Sequence, residues 1–241
     1  MKYLLRDNST VTDPRLDRLV QFDERSKNFP IMKLIPEAKR KFRSYTWRCN
    51  TCLNQGPYGS CVGHGIAHEL AARPSEVPGM TTKYAKEEIY WKAQMEDPWP
   101  GGDYPNASPK YEGTSVLAGV KVAQRLGWFD SYYWAFSLEE LIYGVGHRGP
   151  AVLGTYWFDG MMQPDEKGLI HPEGGKAGGH CYLVKGVDIN RELLRILNSW
   201  GKPWGIDGEC YITFDDMRYL LELQGEAVFF EKRHKVPRIT A

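Results

Sequence analysis

Cys61 and Gln55, in the first third of the chain, are residue types that could act as a nucleophile and as a hydrogen-bond donor beside it. Cys61 follows the turn-forming stretch QGPYGS and precedes a run of small and apolar residues that favours a helix. A cysteine in the first turn of a helix faces unpaired main-chain N–H groups and the positive end of the helix dipole, and both favour the reactive thiolate. Gln55, six positions earlier, can supply a side-chain amide donor beside it.

A predicted β-hairpin supplies a base and an orienting group. The β-rich runs HCYLVKGVD and RELLRILN flank a turn centred on Ile189, and His180 and Asn198 each lie nine positions from that centre. In an antiparallel hairpin without a bulge, these two residues face each other at the open end. The amide can accept from one ring nitrogen and fix the tautomer of the imidazole, which leaves the other nitrogen to face Cys61.

A cysteine, a histidine and an orienting asparagine form an activated nucleophile for acyl transfer. Cys61 would attack a carbonyl, His180 would protonate the leaving amine, and water would then hydrolyse the thioester. The oxyanion needs hydrogen-bond donors, and the main-chain N–H of Cys61 and the amide of Gln55 are the candidates. The sequence therefore predicts a hydrolase with Gln55, Cys61, His180 and Asn198 in its catalytic site.

The elements that must position these residues are predicted as helices first and strands second, which indicates an α+β fold with a cleft between two parts. Periodicity and capping residues predict helices over residues 61–72, 82–95, from Thr114 or Ser115 to Gly127, from Ser137 to before Gly149, and over 215–223. Runs rich in β-branched and aromatic residues predict strands over residues 151–158, 168–171, 180–188, 193–200, 209–214 and 226–230.

Composition excludes several classes of function. The 31 Lys and Arg balance 30 Asp and Glu, so a nucleic-acid or acidic-membrane partner bound by bulk charge is not expected. No apolar stretch is long enough for a membrane span or a secretory signal, which favours a cytoplasmic protein.

The five cysteines are too few, and odd in number, for a disulfide framework. Cys49-x-x-Cys52 lacks a second pair for zinc, so we expect neither a metal nor a cofactor.

Three segments resemble the papain-like cysteine peptidases. QGPYGSC is similar to the oxyanion-hole and nucleophile segment of that family, GGHCYLVKGVD to its histidine strand, and ILNSWGKPWGIDGECYI to its asparagine strand. Tyr58 and Val62 depart from the family pattern, in which secreted members have a disulfide cysteine and a tryptophan there. Few cysteines and no long propeptide motif make the chain most similar to papain-like proteins of bacteria and their phages, which for a phage protein implies the host cytoplasm.

The resemblance covers roughly residues 46–231 and implies a two-lobed catalytic domain. A helical left lobe, residues 46–148, would carry Cys61, and a right lobe built on an antiparallel β-barrel, residues 149–241, would carry His180 and Asn198. It also implies that Gly113 and Gly179 lie along the bound peptide, and that Trp200 shields the histidine–asparagine contact beside the substrate. The implied partner is a peptide or protein substrate; the oligomeric state is not predicted.

Residues 1–45 form a separate N-terminal arm, rich in charge and interrupted by prolines. Its segment FDERSKNFPI either lies across the cleft and regulates access or packs behind the left lobe, and packing is the favoured interpretation.

Two alternative functions are compatible with the four candidate catalytic residues. One is a cysteine amidase or transferase acting on cell-wall peptides, and the other is a papain-fold protein that holds a peptide without cutting it.

Overall fold

The computed structural model describes residues 2–233, and the last eight residues of the predicted right lobe, 234–241, lie outside the described residues. Two large apolar clusters form the interior. One packs between the helices near Cys61 and one face of a sheet, and the other fills the opposite side of that sheet around Trp157 and Trp200. This arrangement of helices and a mostly antiparallel sheet confirms the predicted α+β class.

The helices begin where the sequence places their caps. Ser115 accepts from the N–H of Ala118, and Ser137 accepts from the N–H of Glu140. The α-helices are α1 Cys61–Ala71, α2 Thr82–Tyr84, α3 Trp91–Gln94, α4 Val116–Arg125, α5 Leu138–His147 and α6 Phe214–Glu222.

The helix predicted over residues 82–95 contains a π-helical segment, Ala85–Tyr90, between α2 and α3. This segment packs on α1 at Gly63, where an added Cβ would lie 2.1 Å from the carbonyl oxygen of Ala85. Glycine at this position therefore permits the two helices to touch through their backbones.

A seven-stranded sheet carries the second part of the predicted site. Its strands are β4 Tyr45–Thr46, β6 Phe129–Ala135, β7 Ala151–Phe158, β8 Lys176–Asp188, β9 Leu193–Leu197, β10 Glu209–Thr213 and β11 Glu226–Arg233. Their order in the sheet is β10-β9-β8-β7-β11-β6, with β4 also paired to β8, and the neighbouring strands are antiparallel.

One strand was not predicted and one predicted strand is wrong. Strand β6 lies between two predicted helices, in residues that were assigned no element, and it joins the sheet by pairing with β11, which is about a hundred residues away in sequence. Residues 168–171, predicted as a strand, make only an isolated bridge from Leu169 to Tyr211. The predicted lobe boundary near residue 148 stays a prediction, since β6 and α5 both contribute to the cluster around Trp157.

The N-terminal arm runs through the molecule in short pieces. Its strands are β1 Tyr3–Leu4, β2 Thr10–Val11 and β3 Arg18–Leu19, and β3 pairs in parallel with β5, Thr114–Ser115. Three 3-10 helices follow, at Glu24–Asn28, Ile31–Leu34 and Glu37–Lys39. Within residues 2–233, no helix has the length and apolar character required to cross a bilayer.

The favoured prediction for the segment FDERSKNFPI is packing behind the left lobe, and β6, on which it packs, lies within the residues assigned to that lobe. The carbonyl of Phe29 accepts from the N–H of Trp134, and Ile31 is fully buried in the apolar cluster around Trp157. This part of the arm therefore packs along the edge strand β6 of the sheet. A different part of the arm, residues 15–19, lies between the two halves of the predicted site.

Candidate active site

Cys61 is the first residue of α1 and is completely buried. Ser60 precedes the helix but makes no side-chain cap hydrogen bond, so the first N–H groups of α1 are not capped from within the loop. Val62, where the resemblance expects a tryptophan, is also fully buried and packs with the helical cluster. Tyr58, the other departure, is exposed and lies under the ammonium of Lys86.

His180 and Asn198 are in contact, as the hairpin predicts. Nε2 of His180 lies 2.8 Å from Oδ1 of Asn198, and the same oxygen accepts from the N–H of Ser199. Because this oxygen is an acceptor in both bonds, Nε2 carries the proton and Nδ1 is the free basic nitrogen of the neutral ring. Nδ1 makes no hydrogen bond to any of the described residues.

The predicted register of the hairpin is nevertheless wrong. Leu183 faces Leu197 and Val184 faces Ile196, and an irregularity follows between Val184 and Gly186. Extending this register would place Asn198 opposite Tyr182, two residues beyond His180. His180 and Tyr182 are two residues apart and so lie on the same face of β8. The side chain of Asn198 therefore reaches His180 diagonally across the two strands.

Aromatic rings surround the imidazole. Trp157 and Trp200 lie with ring centroids 4.8 and 5.1 Å from that of His180. His180 is itself fully buried, and this burial lowers its pKa to about 4, although the hydrogen bond to Asn198 opposes the shift. The role of Trp157 was missed because it depends on the pairing of β7 with β8, which the sequence does not reveal.

Asp17 of the arm occupies the space next to the nucleophile. Its Oδ1 lies 3.0 Å from the Sγ of Cys61 and 3.4 Å from the main-chain N of the same residue. Its main chain forms a parallel bridge with Gly179, the residue before His180. The arm therefore fills the gap between the start of α1 and strand β8.

Gln55 is nearly fully buried and also contacts the arm. Its Nε2 donates to the carbonyl of Tyr58 at 2.8 Å and lies 3.3 Å from the carbonyl oxygen of Arg15. Its Oε1 accepts from the hydroxyl of Ser199, which fixes the amide so that Nε2 is the donor. The predicted pair of oxyanion donors, Gln55 Nε2 and Cys61 N–H, both face acceptors of residues 15–17.

The three predicted substrate-binding residues border the same stretch of arm. The guanidinium of Arg15 lies 4.0 Å above the ring of Trp200. An added Cβ on Gly179 would lie 2.1 Å from the carbonyl oxygen of Arg18, so only glycine admits the arm backbone here. Gly113 has a φ of +111°, and an added Cβ there would lie 3.1 Å from the carbonyl oxygen of Asp17.

The polar atoms of Gly113 are already occupied in this state. Its N–H donates to the hydroxyl of Tyr90, and its carbonyl accepts from Arg6 of the arm and from Gln94. The peptide-binding role implied for Gly113, and those implied for Gly179 and Trp200, stay predictions.

The thiol of Cys61 is not in the thiolate form that its position at the start of α1 was expected to favour. Burial, the neighbouring Asp17 and Cys181 raise the pKa of the Cys61 thiol well above its ordinary value. Burial also raises the pKa of Asp17 to about 6, and the hydrogen bonds from Cys61 only partly oppose this shift. With the arm in place, the thiol is therefore protonated and donates to the carboxyl group, and the expected stabilisation of the thiolate by α1 is overcome.

Asp17, Arg15 and Arg18 are the residues that sequence reasoning missed altogether. They lie in a charged, turn-rich stretch, DPRLDR, without the periodicity of an element. One sequence signal was nevertheless present: Leu16 is an apolar residue between the charged residues Arg15 and Asp17. In the fold, Leu16 is fully buried.

No protein-family model matches the chain. One curated relative is an uncharacterized peptidase C1-like protein of Acanthamoeba polyphaga mimivirus, which is 20% identical and matches 65% of this chain. The chain spans 62% of the length of that relative.

Solved structures give a clearer likeness. Xylellain, a cysteine protease from Xylella fastidiosa, superposes with a TM-score of 0.68 at 14% identity over 93% of this chain and 98% of its own. A cysteine protease of Carica candamarcensis in complex with E-64 has a TM-score of 0.55 at 16% identity over 80% of this chain and 99% of its own. Procathepsin L 3 of Tenebrio molitor has a TM-score of 0.55 at 14% identity over 91% of this chain and 74% of its own. The chain therefore has the fold of the papain-like cysteine proteases.

Proposed function

We propose that this chain is a papain-like thiol peptidase whose N-terminal arm blocks the catalytic site in the state described above. The peptidase part is supported by the fold, by the peptidase C1-like relative and by the contact of His180 with Asn198. Its substrate is a peptide or protein. All five cysteines are free thiols, which supports a reducing compartment such as the cytoplasm.

The chemistry uses four residues once the arm has left. The thiol proton passes to Nδ1 of His180, and Sγ of Cys61 attacks the substrate carbonyl carbon. The oxyanion accepts from Gln55 Nε2 and from the N–H of Cys61. The intermediate collapses by breaking the C–N bond, and Nδ1 returns the proton to the leaving amine. His180 then takes a proton from water, the hydroxide displaces the thioester sulfur, and the proton restores the thiol.

One observation carries the proposal: two acceptors of the arm lie at the two oxyanion donors. The Asp17 carboxyl group lies at the N–H of Cys61, and the Arg15 carbonyl lies at the amide of Gln55. A tetrahedral oxyanion needs donors in this arrangement, and a protein stabilises it by aiming them before the substrate arrives. The group next to Sγ is the carboxyl group of Asp17, which the thiol cannot cleave because it has no amide leaving group.

The direction of the arm explains why it is not itself a substrate. Because His180 protonates the leaving amine, the carboxyl-terminal part of a substrate lies on the side of His180 and Trp200. The arm has its earlier residue, Arg15, at Trp200. It then passes Cys61 with Asp17 and places the side chain of Arg18 at Glu226. It therefore runs opposite to a productively bound peptide, and none of its amide carbonyls is presented for attack with a leaving amine at His180.

The proposal is tested by labelling with a peptide epoxide and locating the modified cysteine by mass spectrometry. Wild-type protein and an Asp17→Ala variant are compared, with Cys49 and Cys52 as internal references. We expect Cys61 to react faster than either reference in the variant and casein turnover to rise with it. Equal labelling of the three thiols in the variant would contradict the proposal. Turnover of cell-wall peptides but not casein would instead support an amidase.

A further inference from the structure

Arg18 of the arm is buried in a charged pocket next to the catalytic site. Its side chain is 1% exposed and that of Glu226, on β11, is 10% exposed. Nε and Nη2 of Arg18 both donate to Oε1 of Glu226, at 3.1 and 2.7 Å, and Nη2 also donates to the carbonyl of Gln224. Among the described residues, Arg18 is the only side chain that forms a hydrogen bond or ion pair with Glu226.

The pocket has space for a guanidinium because Gly154 has no side chain. An added Cβ at this position would lie 2.7 Å from Nε of Arg18, 2.7 Å from a methyl of Val116 and 3.1 Å from Oε1 of Glu226. Any larger residue on this part of β7 would displace the guanidinium or the carboxylate. The pocket is therefore shaped around a long basic side chain that ends at an acid.

The pocket lies on the acyl side of the scissile bond. Arg18 directly follows Asp17, whose side chain touches Cys61, and consecutive Cα atoms are about 3.8 Å apart. The arm runs from Arg15 at Trp200 past Cys61 to the pocket, so the pocket lies beyond Cys61 from Trp200, on the side of the amino-terminal part of a substrate. A cavity of about 340 Å³ continues from the ion pair, and its walls include Leu117, Trp134 and Gln224.

We propose that this pocket, with Glu226 at its base, selects substrates with an arginine or lysine close to the amino-terminal side of the scissile bond. Release of the arm removes the cation that pairs with Glu226. An uncompensated carboxylate in a largely buried pocket is costly, so a substrate that restores the pair is favoured over an apolar one. Arg18 thus imitates the substrate side chain in a chain of opposite direction. This inference rests on the proposed peptidase function.

The first test uses peptide coumarins, in which the bond between the last amino acid and the coumarin is cleaved. Arginine, lysine or leucine is placed either at this last position or at the position before it. The protein is the full chain with Asp17→Ala and Arg18→Ala, which frees the pocket. We expect kcat/KM to be about 10- to 100-fold higher for arginine than for leucine at one position, since hydrogen bonds to a charged group have this strength. Adding Glu226→Gln should remove the preference, whereas Glu222→Gln, at the rim of the same cavity, should preserve it.

A preference for leucine, or a preference for arginine that persists in Glu226→Gln, would overturn the inference while leaving the peptidase function intact. If no peptide is cleaved, the peptidase proposal fails and a second measurement decides about the pocket. Iodoacetamide labelling of Cys61 then reports occupancy by the arm. We expect at least about tenfold faster labelling in Arg18→Leu and near wild-type labelling in Arg18→Lys. Equal labelling of these two variants would refute a pocket that selects basic groups.

Discussion

The carboxyl group of Asp17 lies against both the thiol and the main-chain N–H of Cys61, although 44 residues separate them in sequence. One side chain of the arm thus lies at the proposed oxyanion site and accepts the proton of the predicted nucleophile. The same contact raises the thiol pKa, together with burial. The relationship combines steric blocking with chemical deactivation, and each part can be measured.

Replacing Asp17 by alanine should expose the thiol. The variant loses the acceptor for the S–H and N–H groups of Cys61, and the loss of such a buried partner costs about 1–3 kcal/mol. We expect iodoacetamide to label Cys61 about 5- to 100-fold faster, as followed by mass spectrometry. Asp7→Ala is the matched control, because Asp7 is an exposed carboxylate of the same arm whose hydrogen bonds, within residues 2–233, are to Ser9. Similar rates in both variants would exclude a specific role for Asp17.

The docking of the arm should weaken as pH rises through 6. Docking raises the pKa of Asp17 from 3.8 to about 6, so the docked state binds the proton more tightly than the released state. This contribution is fully present below pH 4 and is lost as pH rises through about 6; two pKa units correspond to about 3 kcal/mol. Glu112 is shifted in the same direction, and His180, lowered to about 4, acts in the opposite direction.

Hydrogen exchange of residues 15–19 isolates the contribution of Asp17. Protection factors are compared between pH 4.5 and 7.5 in wild type and in Asp17→Asn, since the amide keeps the shape but does not titrate. We expect protection in wild type to fall more steeply with pH than in the variant. Parallel pH profiles would show that other groups control docking.

The contact between His180 and Asn198 should control the rate of the chemical step. In an arm-released background, His180→Ala should lower kcat by about 10²–10⁴-fold, the usual contribution of general acid–base catalysis. Asn198→Ala should cause a smaller loss, because the base remains but its tautomer and orientation are no longer fixed. Asn190→Ala, in the exposed hairpin turn, is the control and should leave kcat unchanged. An unchanged kcat in Asn198→Ala would remove its orienting role.

Gln55→Glu should lower kcat by about 10²–10³-fold. This change retains an oxygen that can accept from Ser199 and removes the N–H donor, so it tests the oxyanion role with little loss of volume. Ser199→Ala is the companion variant, which frees the amide without removing the donor, and it should lose less activity. Steady-state kinetics on a peptide coumarin distinguishes the two, and a larger effect of Ser199→Ala would argue for a structural role of Gln55.

Arg6 should be the main anchor of the arm on the helical side. Its side chain is fully buried, pairs with Asp97 and donates to the carbonyls of Gln94 and Gly113. Removing one partner of a buried pair costs about 3–5 kcal/mol. Arg6→Met should therefore lower the urea midpoint of unfolding, whereas Arg25→Met, at an exposed pair with Asp23, should leave it nearly unchanged. Equal midpoints would show that the arm is anchored elsewhere.

Several features of the fold are local and can be predicted from neighbouring residues. The start of α1 at Cys61 and the caps at Ser115 and Ser137 follow from turn residues and apolar spacing. The proximity of His180 and Asn198 also follows from one hairpin, since a short turn fixes which residues are near each other. The turn is centred between Asn190 and Arg191 rather than on Ile189, and the irregularity after Val184 shifts the register by one residue. The two side chains still meet, because His180 lies on the same strand face as the residue opposite Asn198.

The tertiary structure alone decides how the site is filled and what lines it. Strand β6, Trp157 and Gly154 acquire their roles only through pairing with distant strands, and Arg18 meets Glu226 across 208 positions of sequence. Asp17 lies in a stretch whose charges, read locally, indicate solvent exposure. The sequence by itself determined the fold class and the proximity of His180 and Asn198, and it predicts the nucleophile, the base and the orienting amide, because those depend on short-range geometry and periodicity. The blocked cleft and the acidic pocket depend on long-range packing, which no local pattern encodes.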